Sequence, residues 1–242
     1  MPLILAGLIL LFGSFVQGAI GFALGMIAVP LLVDGGYSLS QAVALTTLAI
    51  GIQVMAGAWQ LRDHIPWSDV KLAALVRYAT VPIGITLLLL VEDVNGSDVK
   101  PLVGIGVLIG VAIRLVAPHQ LKRDLPLTIS AAAFAISGVL QGLVAMGGPP
   151  LVLWMTTRNF RARQARAFTM TLFLLNVPIQ VLLLLFLSRT MSLEVVATAL
   201  LLSPLIYLGT TIGVRAGNHI SKPLLNRLAL AVLVVIAFNA IF

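Results

Sequence analysis

Gln17-Gly18-Ala19-Ile20-Gly21-Phe22-Ala23-Leu24-Gly25, with Pro30 beyond it, and Gln141-Gly142-Leu143-Val144-Ala145-Met146-Gly147-Gly148-Pro149-Pro150 decide how this chain folds. Each stretch lies inside an apolar run, residues 2–33 and 127–156, that is too long for one ordinary helix and is interrupted by glycine. Glycine frees the backbone to leave the helical region, and Pro149-Pro150 directly after Gly147-Gly148 suits a helix start, where a missing N–H costs least. Both stretches are therefore expected to turn the chain inside a largely apolar environment.

Working outward, the two stretches open two similar halves. Gln41-Ala42-x-Ala44-x-Thr46 recurs as Gln164-Ala165-x-Ala167-x-Thr169, and Lys100-Pro101-Leu102 as Lys222-Pro223-Leu224. Gln53 falls opposite Asn176 and Pro82 opposite Pro204, all at an offset of about 123 residues. A common offset in a common order marks a duplicated unit. The expected units are residues 1–120 and 121–242 of one membrane domain.

The composition sets the class. Of 242 residues, 60% are hydrophobic and 10% charged, against roughly 25% charged in a soluble domain. Eight apolar segments, 2–33, 42–60, 72–91, 101–117, 127–156, 168–187, 193–214 and 223–241, alternate with polar connections. Several approach the ~20 residues that cross a hydrocarbon core about 30 Å thick. Their apolar character is saturated rather than one-sided, as in helices buried among lipid and one another. The first stretch lacks a positive n-region and exceeds the apolar length of a cleavable leader, so it is expected to remain as a membrane segment.

Charge placement orients the segments. If all eight cross once, the 15 Lys and Arg divide seven against eight between the two sides, which is no bias. If the first and fifth segments are instead hairpins that return to their face of entry, Lys100 and Arg189 alone oppose the remaining thirteen of the 15. That is a strong positive-inside pattern. Each half then makes three crossings, an odd number, so the halves are inverted. Arms of about 14 residues would reach only ~21 Å, leaving one hairpin tip inside the membrane from each face. Irregular backbone at that depth persists only in protein or beside a watery cavity, and opposed broken helices around a midplane site are a transporter architecture. The expected fold is an all-α polytopic membrane protein of two inverted repeats, each a Gly-broken helical hairpin followed by three transmembrane helices. Both termini and the acidic loop 92–98 are expected to face the periplasm of a bacterial inner membrane.

The candidate substrate-binding residues are Gln17, Gly18, Gly21, Thr46, Gln53, Gln141, Gly142, Gly147, Gly148, Arg166, Thr169 and Asn176. Half-helix starts in the Gly-rich turns offer N–H groups to an anion without a buried cation. Gln17 with Gln141, and Gln53 with Asn176, are repeat-related amides able to ligate an oxyanion, or simply to tie helices together. Thr46, Thr47, Thr169 and Thr171 are weaker candidates, since a helical threonine often bonds its own backbone. Arg158, Arg161, Arg163 and Arg166 follow the second hairpin; such a loop fixes topology and meets lipid, or gathers anions, with Arg166 nearest the next span. Arg77 is expected to snorkel to the interface.

Several chemistries lack their residues. The eight acids, Asp34, Asp63, Asp69, Glu92, Asp93, Asp98, Asp124 and Glu194, all fall in loops or at segment ends, whereas a proton or sodium relay places a carboxylate or His inside the bundle. His64, His119 and His219 are too scattered for a metal site, no cysteine is present, and no Walker, Gly-x-Ser-x-Gly or His-Glu-x-x-His motif occurs. No aromatic-interleaved basic patch suggests nucleic acid, so the net charge of +7 is read as topological. No cofactor, metal or enzymatic activity is expected.

Across nearly its whole length the sequence resembles the TauE/SafE family of sulfite-exporter-like membrane proteins. Two halves each open with a Gly-rich break and continue into Gln-Ala-x-Ala-x-Thr. Gly147-Gly148-Pro149-Pro150 is close to the family pattern, while Gly21-Phe22-Ala23-Leu24-Gly25 stands where three consecutive glycines are usual. The resemblance implies export of sulfite, sulfonates or related sulfur-containing or organic anions. Negative-inside potential favours outward movement of an anion without a coupling ion. The expected partners are a small anion and the bilayer, with a homodimer left open; import, or a non-transporting scaffold, are the alternatives.

Overall fold

The computed structural model describes residues 3–95, 125–158, 160–188 and 191–219. The segments expected at 101–117 and 223–241, the Lys-Pro-Leu repeats, the carboxy-terminal end, His119, and Arg114, Lys122, Arg123, Arg189 and Arg227 lie outside the described residues. Within them the chain is helical: α1 (Leu3–Ile20), α2 (Leu24–Asp34), α3 (Leu39–Gln60), α4 (Trp67–Asn95), α5 (Leu127–Val144), α6 (Gly148–Thr156), α7 (Ala162–Leu183), α8 (Leu193–Leu201) and α9 (Ser203–His219). Five of these are long and apolar enough to cross a membrane, and α8 with α9, bent by 48°, makes a sixth when taken together. The chain is a polytopic α-helical membrane protein. The segment expected as one span at 193–214 bends because Pro204 has no N–H to return to the preceding turn.

The Gln-Ala-x-Ala-x-Thr repeat is a helix-start signal. The Gln41 side-chain oxygen accepts the Ser38 N–H at 3.1 Å, and the Gln164 oxygen accepts the Arg161 N–H at 2.9 Å. Each glutamine thus satisfies an orphan donor just ahead of its helix.

Both Gly-rich stretches reverse the chain. Gly13 of α1 lies against Leu24 and Ile27 of α2, which a continuous helix would carry far along the axis. In the second stretch Trp154 of α6 returns to Phe134 of α5, ring centroids 4.8 Å apart, while its Nε1 donates to Ser130 Oγ at 3.0 Å. The arms are unequal, unlike the expected pairs of about 14 residues. α1 and α5 each have 18 residues, whereas α2 has 11 and α6 has 9. The Gln-Gly pairs do not turn the chain. They lie within the last turns of α1 and α5, and the reversals follow at Gly21-Phe22-Ala23 and Ala145-Met146-Gly147. Gly21 has φ +93, Ala23 +113 and Ala145 +54, a region where only glycine is free of steric cost.

The two halves interlock by exchange. α1 runs parallel to α9, with Gly18 against Thr210 and Gly213 while Gly7 faces Leu202 and Leu205. α5 runs parallel to α4 in the same manner, with Gly138 on Thr80 and Gly142 on Val81 and Ile85. Between these pairs α3 and α7 lie antiparallel, Gly51 on Val177 and Gly57 on Met170. Small residues let backbones approach, which is the chief source of helix association in lipid.

Candidate functional site

The two hairpin tips touch. A Cβ built on Gly25, just past the first reversal, would lie 2.7 Å from the Ala145 carbonyl carbon. One built on Gly148 would lie 2.8 Å from Phe22 Cβ. The seam is therefore backbone against backbone at Gly25 and backbone against the Phe22 side chain at Gly148, with room for it only because these two positions lack side chains. Near the start of α7, Gly21 rests on Arg166 and on Thr169 Oγ1, the latter 2.7 Å from its would-be Cβ.

An amide staples each reversal. Gln17 Oε1 accepts the Leu24 N–H at 2.9 Å, and Gln141 Oε1 accepts the Gly147 N–H at 3.2 Å. The first donor of each return arm is thus occupied by a glutamine oxygen rather than left open to a ligand. The nitrogens differ. Gln141 Nε2 donates to Gln180 Oε1 at 3.1 Å and Gln180 Nε2 donates back to the Gln141 carbonyl at 2.9 Å. Gly57 stands at the corresponding position of the first half, and Gln17 Nε2 is buried without a partner. Replacing Gln141 with leucine strands the Gly147 N–H and Gln180 Oε1, at a cost of about 2–4 kcal/mol, whereas Gln17→Leu strands the Leu24 N–H alone, about 1–3 kcal/mol. Thermal unfolding in detergent should show the larger fall for Gln141→Leu; equal falls would contradict the asymmetry.

The remaining candidates divide by what they bond. Gly18 and Gly142 are packing positions, where a Cβ would meet the Thr210 carbonyl at 2.7 Å and the Ile85 nitrogen at 2.8 Å. Gln53 Nε2 donates to the Ser14 carbonyl at 3.3 Å, and its Oε1 has no partner. Ser14, Thr46, Thr47 and Thr171 hydroxyls are likewise buried and unpartnered. Thr169 bonds its own helix, at the Ala165 and Arg166 carbonyls. Asn176 Nδ2 donates to the Leu172 carbonyl at 2.8 Å.

Arg166 does reach inward. Its Nη1 donates to the Val214 carbonyl at 3.1 Å and its Nη2 to Asn218 Oδ1 at 2.6 Å. It forms the inner wall of a cavity of about 350 Å³ lined also by His64, Arg161, Arg163, Gly217 and Asn218, with no acid among them. Arg158 pairs with Asp69 at 3.5 Å, joining this loop to the start of α4. At the other end of α3 a cavity of about 210 Å³ is lined by Tyr37, Gln41, Glu194 and Thr198.

Arg77 overturns its expected role. It is wholly buried, with 0% exposure, and does not snorkel. Its helix starts at Trp67, five residues before the apolar segment does, so Arg77 lies about 15 Å along it. Its Nε donates to Asn176 Oδ1 at 3.3 Å, and its Nη1 donates to Ser137 Oγ, which in turn donates to the Gly147 carbonyl. Ser137 was also missed, although it repeats Ser14 at the common offset. Pro66 before Trp67 was the available signal for the earlier helix start.

Among the described residues no acid is buried, and no group of His, Asp and Glu is placed to hold a metal ion. No curated protein and no solved structure matches the chain. The family described as sulfite exporter TauE/SafE matches residues 5–240. The helical membrane architecture agrees with that match, and the chain belongs to the TauE/SafE family, whose members are membrane transporters of sulfur anions such as sulfite and not enzymes.

Proposed function

We propose that this protein exports a small oxyanion of the sulfite or sulfonate class across the bacterial inner membrane, by a path through the seam between its two hairpin tips. The contact of the tips carries the reading: two reversals from different halves meet beside the buried, unpartnered Gln17 Nε2, and one turn back along α1, at Ser14, Gln53 Oε1 is buried without a partner as well. Inverted repeats over 1–120 and 121–242 account for the antiparallel α3 and α7, which occupy equivalent places in the two halves. The cationic ends agree. Arg62, Lys71, Arg158, Arg161, Arg163, Arg166 and Arg215 sit on elements joined by the Arg158–Asp69 and Arg166–Asn218 contacts, an arrangement that faces the cytoplasm under the positive-inside rule. The basic cavity would gather anions there, and the termini would face the periplasm.

Proteoliposomes loaded with sulfite test the function. We expect saturable counterflow of labelled sulfite, competed by short sulfonates, above that of empty vesicles. Absence of counterflow with protein that remains folded would favour a scaffold. Reporter fusions that place both termini in the cytoplasm would overturn the orientation.

A further inference from the structure

Arg77 carries a charge that nothing among the described residues cancels. Its partners are neutral: the Asn176 amide, the Ser137 hydroxyl and the Phe173 ring, whose centroid lies 5.2 Å from Cζ. Nη2 is buried with no hydrogen-bond partner, so both of its N–H bonds are free to meet an oxyanion. Among the described residues it forms no ion pair. A cation buried in a membrane bundle ordinarily pairs with an acid or marks a substrate pathway. A purely structural tie between α4, α5 and α7 would be met by a neutral amide, without the cost of desolvating a charge.

Its position couples that charge to the hairpin tip. Gly147 lies so close that a Cβ there would sit 3.0 Å from Nη1, and the Ser137 hydroxyl links the guanidinium to the Gly147 carbonyl. Arg166 differs. It faces the last turns of α9 through Val214 and Asn218, where a helix C-terminus supplies partial negative charge, and it opens into the basic cavity. Among the described residues, Arg77 is thus the enclosed cation at the tips that lacks compensation.

We propose that Arg77 anchors the charge of the transported anion and that this single uncompensated cation selects monoanions, hydrogensulfite and short alkyl sulfonates, over the sulfate dianion. The assignment rests on the transport reading above. One negative charge neutralises the enclosed site, whereas a second remains unpaired in a medium of low dielectric. Ser137 and Asn176 act as positioning residues that hold the guanidinium plane.

Purified wild type, Arg77→Gln and Arg77→Lys, compared by counterflow and by thermal unfolding with sulfite, methanesulfonate and sulfate, test this. Wild type should be stabilised by sulfite and methanesulfonate but not by sulfate. Arg77→Gln should lose at least ~100-fold in counterflow and all anion-dependent stabilisation, about the cost of a lost charged contact. Its ligand-free melting temperature should be no lower than wild type, which a structural role would not allow. Arg77→Lys keeps the charge without the planar fork and should raise KM about 10-fold. If Arg77→Gln does not fold, Arg77→Lys decides: a wild-type KM overturns the assignment. Sulfate binding as well as sulfite overturns the monoanion selectivity. A wild type inert to all three anions overturns the transport reading and this assignment with it. Sulfite exchange by wild type and Arg77→Gln alike overturns the assignment alone.

Discussion

Gly25→Val should reduce anion exchange by at least about 100-fold while leaving a folded helical protein. A Cβ at Gly25 would approach the Ala145 carbonyl carbon to 2.7 Å, and the Met146 nitrogen to 3.4 Å. These are backbone atoms, so no rotamer change relieves the collision. Nor can the second tip yield freely. The Ala145 N–H is bonded to the Gln141 carbonyl at 3.0 Å and the Met146 N–H to the Leu140 carbonyl at 3.2 Å, and Gln141 is held by Gln180. The displacement must then fall on α2 and open the seam. Overpacking of this kind costs about 1–3 kcal/mol, enough to shift the tips without dissolving the glycine-packed pairs α1/α9 and α4/α5. Gly7→Ala is the matched control. Its Cβ would meet the flexible side-chain ends of Leu202 and Leu205 at 3.2 Å, and exchange should stay within about 2-fold of wild type. Counterflow beside size-exclusion profiles distinguishes the cases, and wild-type exchange by Gly25→Val would exclude the seam as the path.

The hairpins were legible in the sequence because two independent signals converge there, glycine clusters inside overlong apolar runs and a charge count that makes sense only if those runs return to their face of entry. The length of the arms was not legible. Gln17-Gly18 and Gln141-Gly142 look like the breaks, yet a glycine that packs on a carbonyl and one that turns the chain are the same letter. Only the distance to Thr210 or Ile85 separates them. The glutamines stand out in the sequence but their chemistry does not, since an amide offers an acceptor as readily as a donor, and in both hairpins the oxygen accepts a backbone N–H at the reversal.

Arg77 shows the physical limit more sharply. In a soluble helix its direction would follow from the apolar stripe, but α4 is apolar on every side, so there is no phase to read. Depth was the remaining clue, and it turned on whether the helix began at Trp67 or at Leu72. Arg166 was legible for the opposite reason, because it closes a run of arginines at a helix start and so lies near the interface whatever its rotation. The bend at Leu202, before Pro204, escaped because Pro82, the counterpart of Pro204 at the common offset, sits inside the continuous α4. The same residue breaks one helix and is absorbed in the other according to what packs around it.

Net anion flux, unlike one-for-one counterflow, should respond steeply to membrane potential. The second hairpin is held on α7 by the Gln141–Gln180 pair, and Arg77 reaches it through Ser137. Arg77 belongs to the long helix α4 and stays with the protein, so the charge moved per outward step is the anion's own. With no acid buried among the described residues, no proton or sodium carrier is available there to offset it. One charge crossing 100 mV gains about 2.3 kcal/mol, equivalent to roughly a 50-fold concentration ratio. Proteoliposomes clamped at 100 mV, negative inside, with a potassium gradient and valinomycin should therefore expel hydrogensulfite toward that ratio and accumulate it when the gradient is reversed. A proton ionophore or removal of sodium should change neither result. Flux indifferent to the imposed potential would mean that a compensating ion travels with the anion, and would send the search for its carrier to residues beyond the two hairpins.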